Sequence, residues 1–256
     1  MADIRVLPDA AALASAAAAL FAASAAEATA ARGLFSVMLS GGSTPRAMHA
    51  RLVSSKVASR IDWERVCFFW GDERCLPPEH PDSNYRMARE TLLDPNDVPA
   101  ENVYRIHGEL PPETAASSYE AELRSFATAH PPTNGLSAPR FDLILLGMGD
   151  DGHTASLFPH SAAIHESQRW VVAVPHTTPP PPLVPRVTVT PVIINAAAHV
   201  VFLVSGSAKA ERLQKVIAGE RNPDELPSQI GSPTHGQLTW LLDADAASRL
   251  TAGSSV

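Results

Sequence analysis

The chain has 256 residues, of which 45% are hydrophobic and 18% charged, and its formal net charge is −7. That is enough apolar material for a sizeable core, and it leaves no basic surface that would point to nucleic acid or an anionic membrane. Two cysteines, Cys67 and Cys75, are too few for a disulfide framework or a four-ligand zinc site, and Cys67 within "VCFFW" reads as a small core residue.

The first expected element is a helix through the alanine-rich stretch Ala11–Ala26. Alanine is the best helix former; Asp9, just after Pro8, is the expected N-cap and Gly33 the expected stop. A secretory signal needs a cationic start and a strongly apolar middle, whereas Asp3, Asp9 and Glu27 interrupt a middle of alanine and serine. We therefore expect an amphipathic surface helix and a cytoplasmic protein. No other run has the length of a membrane span.

Beyond it, short β-rich runs alternate with helical patterns. The expected strands are Leu34–Ser40, Val66–Trp70, Phe141–Leu146, Trp170–Pro175, Arg186–Thr190 and His199–Ser205. The expected helices between them are Pro45–Ser54, Asn84–Leu93, Thr114–Ala129 and Ala208–Ala218. Several of the strands are apolar on both faces, as in a sheet covered on each side. The alternation predicts an α/β fold with an open, mainly parallel sheet and helices on both faces. Two stretches are expected loops: "HPPTNGLSAPR" (130–140), dense in Pro, Gly and Asn, and "HTTPPPPLVPR" (176–186), whose prolines lack the amide that a helix or central strand requires. The second reads as a stiff connection of polyproline type. Neither is long enough to divide domains, so one domain over 1–256 is expected.

The loop after the strand at Phe141–Leu146 reads "GMGDDGHTASLFP". Its opening matches G-x-G-x-x-G after a strand, the fingerprint of a dinucleotide-binding turn. Two requirements of that reading fail. Asp150 and Asp151 lie where a pyrophosphate would sit, and a unit charge about 4 Å from a phosphate costs roughly 4 kcal/mol at an effective dielectric near 20. A helix terminus offers only about 0.3–1 kcal/mol in return. No acidic residue closes the next strand to hold a ribose either. What the loop does offer is His153 beside Asp151, just past a strand end, where a carboxylate orients and tunes an imidazole. His49, His107 and His199 have no such setting and read as ordinary core or surface residues.

Other strand ends carry further candidates. "LSGGSTPRAM" is a strand, a turn at Gly41–Gly42, and Ser43-Thr44-Pro45 opening a helix. Pro45 suits the first helical turn, and the free amides and hydroxyls around it form a candidate anion seat. "VSGSAKAERL" repeats the device and carries Lys209 in the first turn of a helix, where its charge opposes the macrodipole unless an anion binds. Arg186 in "PRVTVT" is a possible second cation for that anion. Asp72, Glu73 and Arg74 follow the strand "VCFFW" at the position where ligands bind in open sheets.

Together, "SGGSTPR", "GDER…HPDSNYRMARETLL", "GMGDDGHTASLFP", "PRVTVT" and "SGSAKAERL" closely resemble the 6-phosphogluconolactonase family. The matches run in the family's order from Leu39 to Leu213. The resemblance implies a modified Rossmann-like sheet, no organic cofactor, no metal, and hydrolysis of 6-phospho-D-glucono-1,5-lactone in the oxidative pentose phosphate pathway. It also implies that the catalytic histidine falls on His153, with Asp151, Asp72 and Arg74 at the reacting end. Phosphate and sugar contacts fall on Gly41, Gly42, Ser43, Thr44, Arg46, Arg186 and Lys209. The glycine turn is shared with glucosamine-6-phosphate deaminases, whose loop carries a proton-moving glutamate where this chain has Phe158. That departure weighs against an amino-sugar-phosphate deaminase or isomerase. A non-catalytic sugar-phosphate sensor would need neither His153 nor the charged cluster. With no G-x-S-x-G elbow, the expected chemistry is direct attack by water with His153 as general base. The expected partner is a small phosphorylated lactone, without nucleic acid or membrane, and the expected assembly is a monomer or weak oligomer.

Overall fold

The computed structural model describes residues 2–131 and 138–250. Its strands are β1 Asp3–Leu7, β2 Phe35–Leu39, β3 Val66–Trp70, β4 Asp72–Arg74, β5 Leu143–Leu146, β6 Val171–Val174, β7 Arg186–Val189, β8 His199–Val204 and β9 Gln237–Asp243. The helices are α1 Ala10–Arg32, α2 Ser43–Leu52, α3 Ser55–Ala58, α4 Asn84–Ala88, α5 Pro112–Ala129, α6 Pro191–Ala196 and α7 Ala210–Ala218.

A six-stranded sheet runs in the order β1-β9-β8-β5-β2-β3, and every pair in it is parallel. β2, β3 and β5 are buried along their whole length, which is why they read as continuous apolar runs rather than alternating ones. The mainly parallel α/β fold expected from the sequence is therefore present. β6 and β7 depart from it: they pair antiparallel with each other, and β7 pairs antiparallel with β4, in a separate three-stranded sheet. The reason lies in their connection. A parallel pair needs a crossover of a dozen or more residues, usually a helix, and the proline-dense 176–186 segment is too short and too poor in amide donors to supply one.

α1 is capped as its sequence predicts. The Asp9 side chain accepts the Ala12 amide at 2.7 Å, and Gly33 takes a left-handed conformation with φ 76° at the far end. By length and composition alone this helix could cross a membrane. Here it lays Leu13, Ala17, Phe21, Ala25 and Ala28 into the fold, the spacing of one helical face. Phe21 meets Phe35 edge to face at 5.2 Å. The expected helix over 84–93 is α-helical only through Ala88 and continues as a wider π turn over Arg89–Leu93. β1 and β9 were not expected. β1 is a short edge strand rich in charge, and β9 carries polar residues such as Thr239 that are buried beside β8. Most of the expected 130–140 loop lies outside the described residues.

One residue joins the two sheets. Gly71 donates its amide to the Leu39 carbonyl at 2.9 Å, continuing the β2–β3 ladder, and its own carbonyl accepts the Val189 amide at 2.8 Å, opening the β4–β7 ladder. The chain thus leaves one sheet and enters the other without a loop, at the carboxyl ends of the parallel strands.

Candidate active site

The carboxyl ends of β2, β3 and β5 and the start of the α7 unit enclose a cavity of about 500 Å³. Gly41, Gly42, Asp72, Arg74, Asp151, His153 and Lys209 line it, together with Ser40, Asn84, Asp150 and the 147–149 backbone. Of the residues singled out in the sequence, Ser43, Thr44, Arg46 and Arg186 do not line it. Ser43 and Thr44 open α2 directly behind Gly42, Arg46 is exposed one step further along, and Arg186 is buried.

The glycine-rich loop after β5 is built around the histidine. Gly149 donates to the His153 carbonyl at 2.8 Å, and Gly152 donates to the Gly149 carbonyl at 3.1 Å, closing a tight turn. A Cβ on Gly149 would lie 2.1 Å from His153 Nδ1, and Gly152 has φ +90°. Glycine is needed at these positions for ring clearance and for a left-handed backbone. Asp151 Oδ1 accepts the His153 amide at 3.0 Å and faces His153 Nδ1 at 2.6 Å. Burial would raise the Asp151 carboxyl, but the hydrogen bond to the His153 ring and the charge there together hold it below the ordinary aspartate value. With Nδ1–H donating to this carboxylate, Nε2 is the ring's acceptor. Asp150, the other carboxylate that argues against a pyrophosphate, ion-pairs with Lys209 Nζ at 2.5 Å. Of the two carboxylates in the loop, Asp150 is paired with an ammonium and Asp151 with the imidazole.

Strand alternation sorts "DER" into two roles. Asp72 and Arg74 face the cavity, whereas Glu73 points the other way into the fold. Its carboxylate accepts the Arg74, Asn84 and Tyr85 amides at 2.7, 2.8 and 2.7 Å and the Ser83 hydroxyl at 3.0 Å. It therefore fastens the N-terminus of α4 to β4, a position that favours negative charge. Burial pushes the Glu73 carboxyl up, and these donors pull it back. Asp72 is held by the Ser156 hydroxyl at 2.6 Å and the Asn84 side-chain amide at 3.3 Å. Asn84 and Ser156 were missed in the sequence. The available signal was the helix start at "DSN", with Ser83 capping α4 through the Arg86 amide at 3.1 Å, which places Asn84 beside the strand end.

Arg74 and Arg186 stand directly opposite each other in the β4–β7 ladder. Like charges in such a pair are unfavourable without an anion. Arg74 Nη1 donates to the Asp82 carbonyl at 2.5 Å and Arg186 Nη2 to the Pro182 carbonyl at 2.9 Å, while the Nε of each is buried without a partner among the described residues. Burial lowers the Arg186 guanidinium below its ordinary value, and the Arg74 charge adds to that.

The proline-dense segment forms part of the cavity's wall through Pro179 and Pro180. His176, buried at its base, donates from Nε2 to the Pro180 carbonyl at 2.6 Å. Phe158 stacks on His176 with centroids 4.2 Å apart and meets the His153 ring at 4.8 Å. After β8, Asp243 accepts the Gly206 amide at 3.0 Å and the Ser205 hydroxyl, fixing the turn that leads to Lys209. Among the described residues, no three His, Cys, Asp or Glu side chains converge as a metal-ligand group.

The sequence pattern of the family described as glucosamine-6-phosphate isomerases/6-phosphogluconolactonase matches residues 8–240. The chain is 41% identical over 225 residues to a 6-phosphogluconolactonase of Synechocystis sp., covering 88% of this chain and 88% of that one. It is 40% identical over 221 residues to the chloroplastic 6-phosphogluconolactonase 3 of Arabidopsis thaliana, covering 86% of this chain and 66% of the relative. The solved 6-phosphogluconolactonase from Trypanosoma cruzi superposes with a TM-score of 0.85 at 31% identity, over 98% of both chains.

Proposed function

The chain belongs to the glucosamine-6-phosphate isomerase/6-phosphogluconolactonase family, and on that premise we infer that it hydrolyses 6-phospho-D-glucono-1,5-lactone to 6-phospho-D-gluconate in the oxidative pentose phosphate pathway. The observation that carries the mechanism is the 2.6 Å contact between Asp151 and His153 Nδ1 at the cavity wall. It supports a reading of the imidazole as a base whose open nitrogen is Nε2.

In the first step a water hydrogen-bonded to Nε2 attacks the lactone carbonyl carbon. The new C–O bond forms as the water's proton passes to Nε2, and the carbonyl oxygen becomes an oxyanion. The Arg74 guanidinium, whose Nε has no partner among the described residues, and the amides at the strand ends are the groups assigned to that charge. As the tetrahedral intermediate collapses, the bond from C1 to the ring oxygen breaks, and the imidazolium returns its proton to that oxygen. General base catalysis of this kind contributes about 10²–10⁴-fold, and Asp151 stabilises the imidazolium between the two transfers. Asp72, with further lone pairs available, is assigned to the sugar hydroxyls.

The phosphate is assigned to Lys209 and to the start of α2. Among the described residues no side chain caps that helix, so the amides of Ser43 and Thr44, directly behind the cavity-lining Gly42, remain for an anion. Arg46 and Arg186 lie off the cavity wall and add positive potential rather than a first contact. Phe158 supports this reading over a deaminase or isomerase, because a phenyl ring cannot move a proton. The net charge of −7 supports an enzyme that works without nucleic acid or an anionic membrane surface. A proton-release assay on freshly generated lactone tests the assignment. Rapid acid production by the wild type and its loss in His153→Ala are expected; equal rates in the two would remove His153 as the base.

A further inference from the structure

Asp150 has no part in the chemistry above, yet it occupies the side chain to which the phosphate is assigned. Its Oδ1 lies 2.5 Å from Lys209 Nζ, and both residues line the cavity. The two come from different units of the fold: Asp150 follows β5, and Lys209 immediately precedes α7. Lys209 is 23% exposed and Asp150 76%, so the ammonium faces inward and the carboxylate sits at the mouth. Among the described residues Lys209 makes no other ion pair. The backbone of Asp150 is fastened separately, its carbonyl accepting Arg212 Nε at 3.3 Å. The carboxylate itself can therefore swing away without disturbing the loop that carries His153.

We propose that Asp150 is an exchangeable counter-ion that holds Lys209 in the free enzyme and that the substrate's phosphate must displace. The exchange involves no covalent step. A phosphate brings about two charges and three strong acceptor oxygens, so it outcompetes a single carboxylate for the ammonium. A neutral lactone brings neither and leaves the Asp150–Lys209 pair closed. The pair thus lowers the affinity of phosphorylated ligands, which must open it, and leaves ligands that do not engage Lys209 unaffected. The inference rests on the assignment of the phosphate to Lys209. Because the pair is largely exposed on the Asp150 side, its removal should change affinity by about two- to fivefold.

The test is a double-mutant cycle read by calorimetry, with 6-phosphogluconate, inorganic phosphate and gluconate as probes of the intact protein. Asp150→Asn is expected to tighten phosphogluconate and phosphate by about two- to fivefold and to leave gluconate unchanged. In a Lys209→Ala background the same substitution is expected to lose most of that gain. Unchanged or weaker phosphate binding in Asp150→Asn overturns the proposal. So does an equal gain in both backgrounds, which would make Asp150 a diffuse field rather than a counter-ion. Lys209→Ala alone reports on the underlying assignment: if it leaves phosphogluconate affinity intact, the phosphate seat lies elsewhere, whatever Asp150 does.

Discussion

A single oxygen of Asp151 meets His153 twice, taking its amide at 3.0 Å and its ring Nδ1 at 2.6 Å. The backbone contact sets where the ring begins, and the side-chain contact sets which nitrogen carries the proton. Asp151→Asn keeps the shape but can present an N–H to Nδ1, favouring the wrong tautomer. We expect kcat to fall by at least tenfold with little change in KM, and His153→Ala to lose about a hundredfold or more. Wild-type turnover in Asp151→Asn, measured by proton release, would show that the carboxylate does not orient the base.

Gly149→Ala tests what the glycine-rich loop is for. The added methyl would lie 2.1 Å from His153 Nδ1 and 2.7 Å from Asp151 Oδ1, so the ring must move. Activity should drop sharply while phosphogluconate still binds and circular dichroism stays native. Loss of phosphate affinity with normal kcat would instead mark the loop as an anion cradle.

Lys209→Ala should act on binding. A hydrogen bond to a charged group contributes about 1.5–3 kcal/mol, so KM should rise by roughly tenfold or more with a smaller effect on kcat. A fall in kcat alone would contradict the phosphate assignment.

His49 predicts a pH dependence of stability. It is fully buried in the last turn of α2, and burial, aided by the charge of Arg46, pushes its pKa from 6.5 down to about 4. The Thr91 hydroxyl donates to the Met87 carbonyl, so His49 Nδ1 donates to Thr91 and Nε2 is left without a partner. Above pH 6.5 neither folded nor unfolded chain protonates this ring. Between pH 6.5 and 4 the unfolded chain takes a proton that the folded one refuses, so stability falls with pH at about 1.4 kcal/mol per unit. Urea unfolding should show roughly 2 kcal/mol more loss from pH 6.5 to 5 in wild type than in His49→Asn. Parallel profiles for the two proteins would mean the ring protonates in place.

The strand-end logic of an open sheet was enough to find His153, Asp151, Asp72, Arg74 and Lys209 in the sequence, because each follows an apolar run that could only be a buried strand. Asn84 and Ser156 stayed hidden because they act through Asp72, and nothing local marks a residue that serves a partner distant in the chain. Ser43, Thr44, Arg46 and Arg186 carry motif signals too, but a motif records neighbours along the backbone and not which way a side chain turns; Arg186 turns beneath the proline segment. The small antiparallel sheet was not legible for a related reason: strand direction is decided by the connection, and the prolines of "HTTPPPPLVPR" mark stiffness rather than reach.

Gly71 has a consequence for which ligands fit. Since a single peptide residue belongs to both ladders, the offset between the turn after β2 and the backbone at the head of β4 is set by main-chain geometry, and Ser156 and Asn84 hold the Asp72 carboxylate on that backbone. The cavity therefore measures its guest against a fixed gauge, and a sugar chain of another length would have to bend itself, since the protein has no slack to lend.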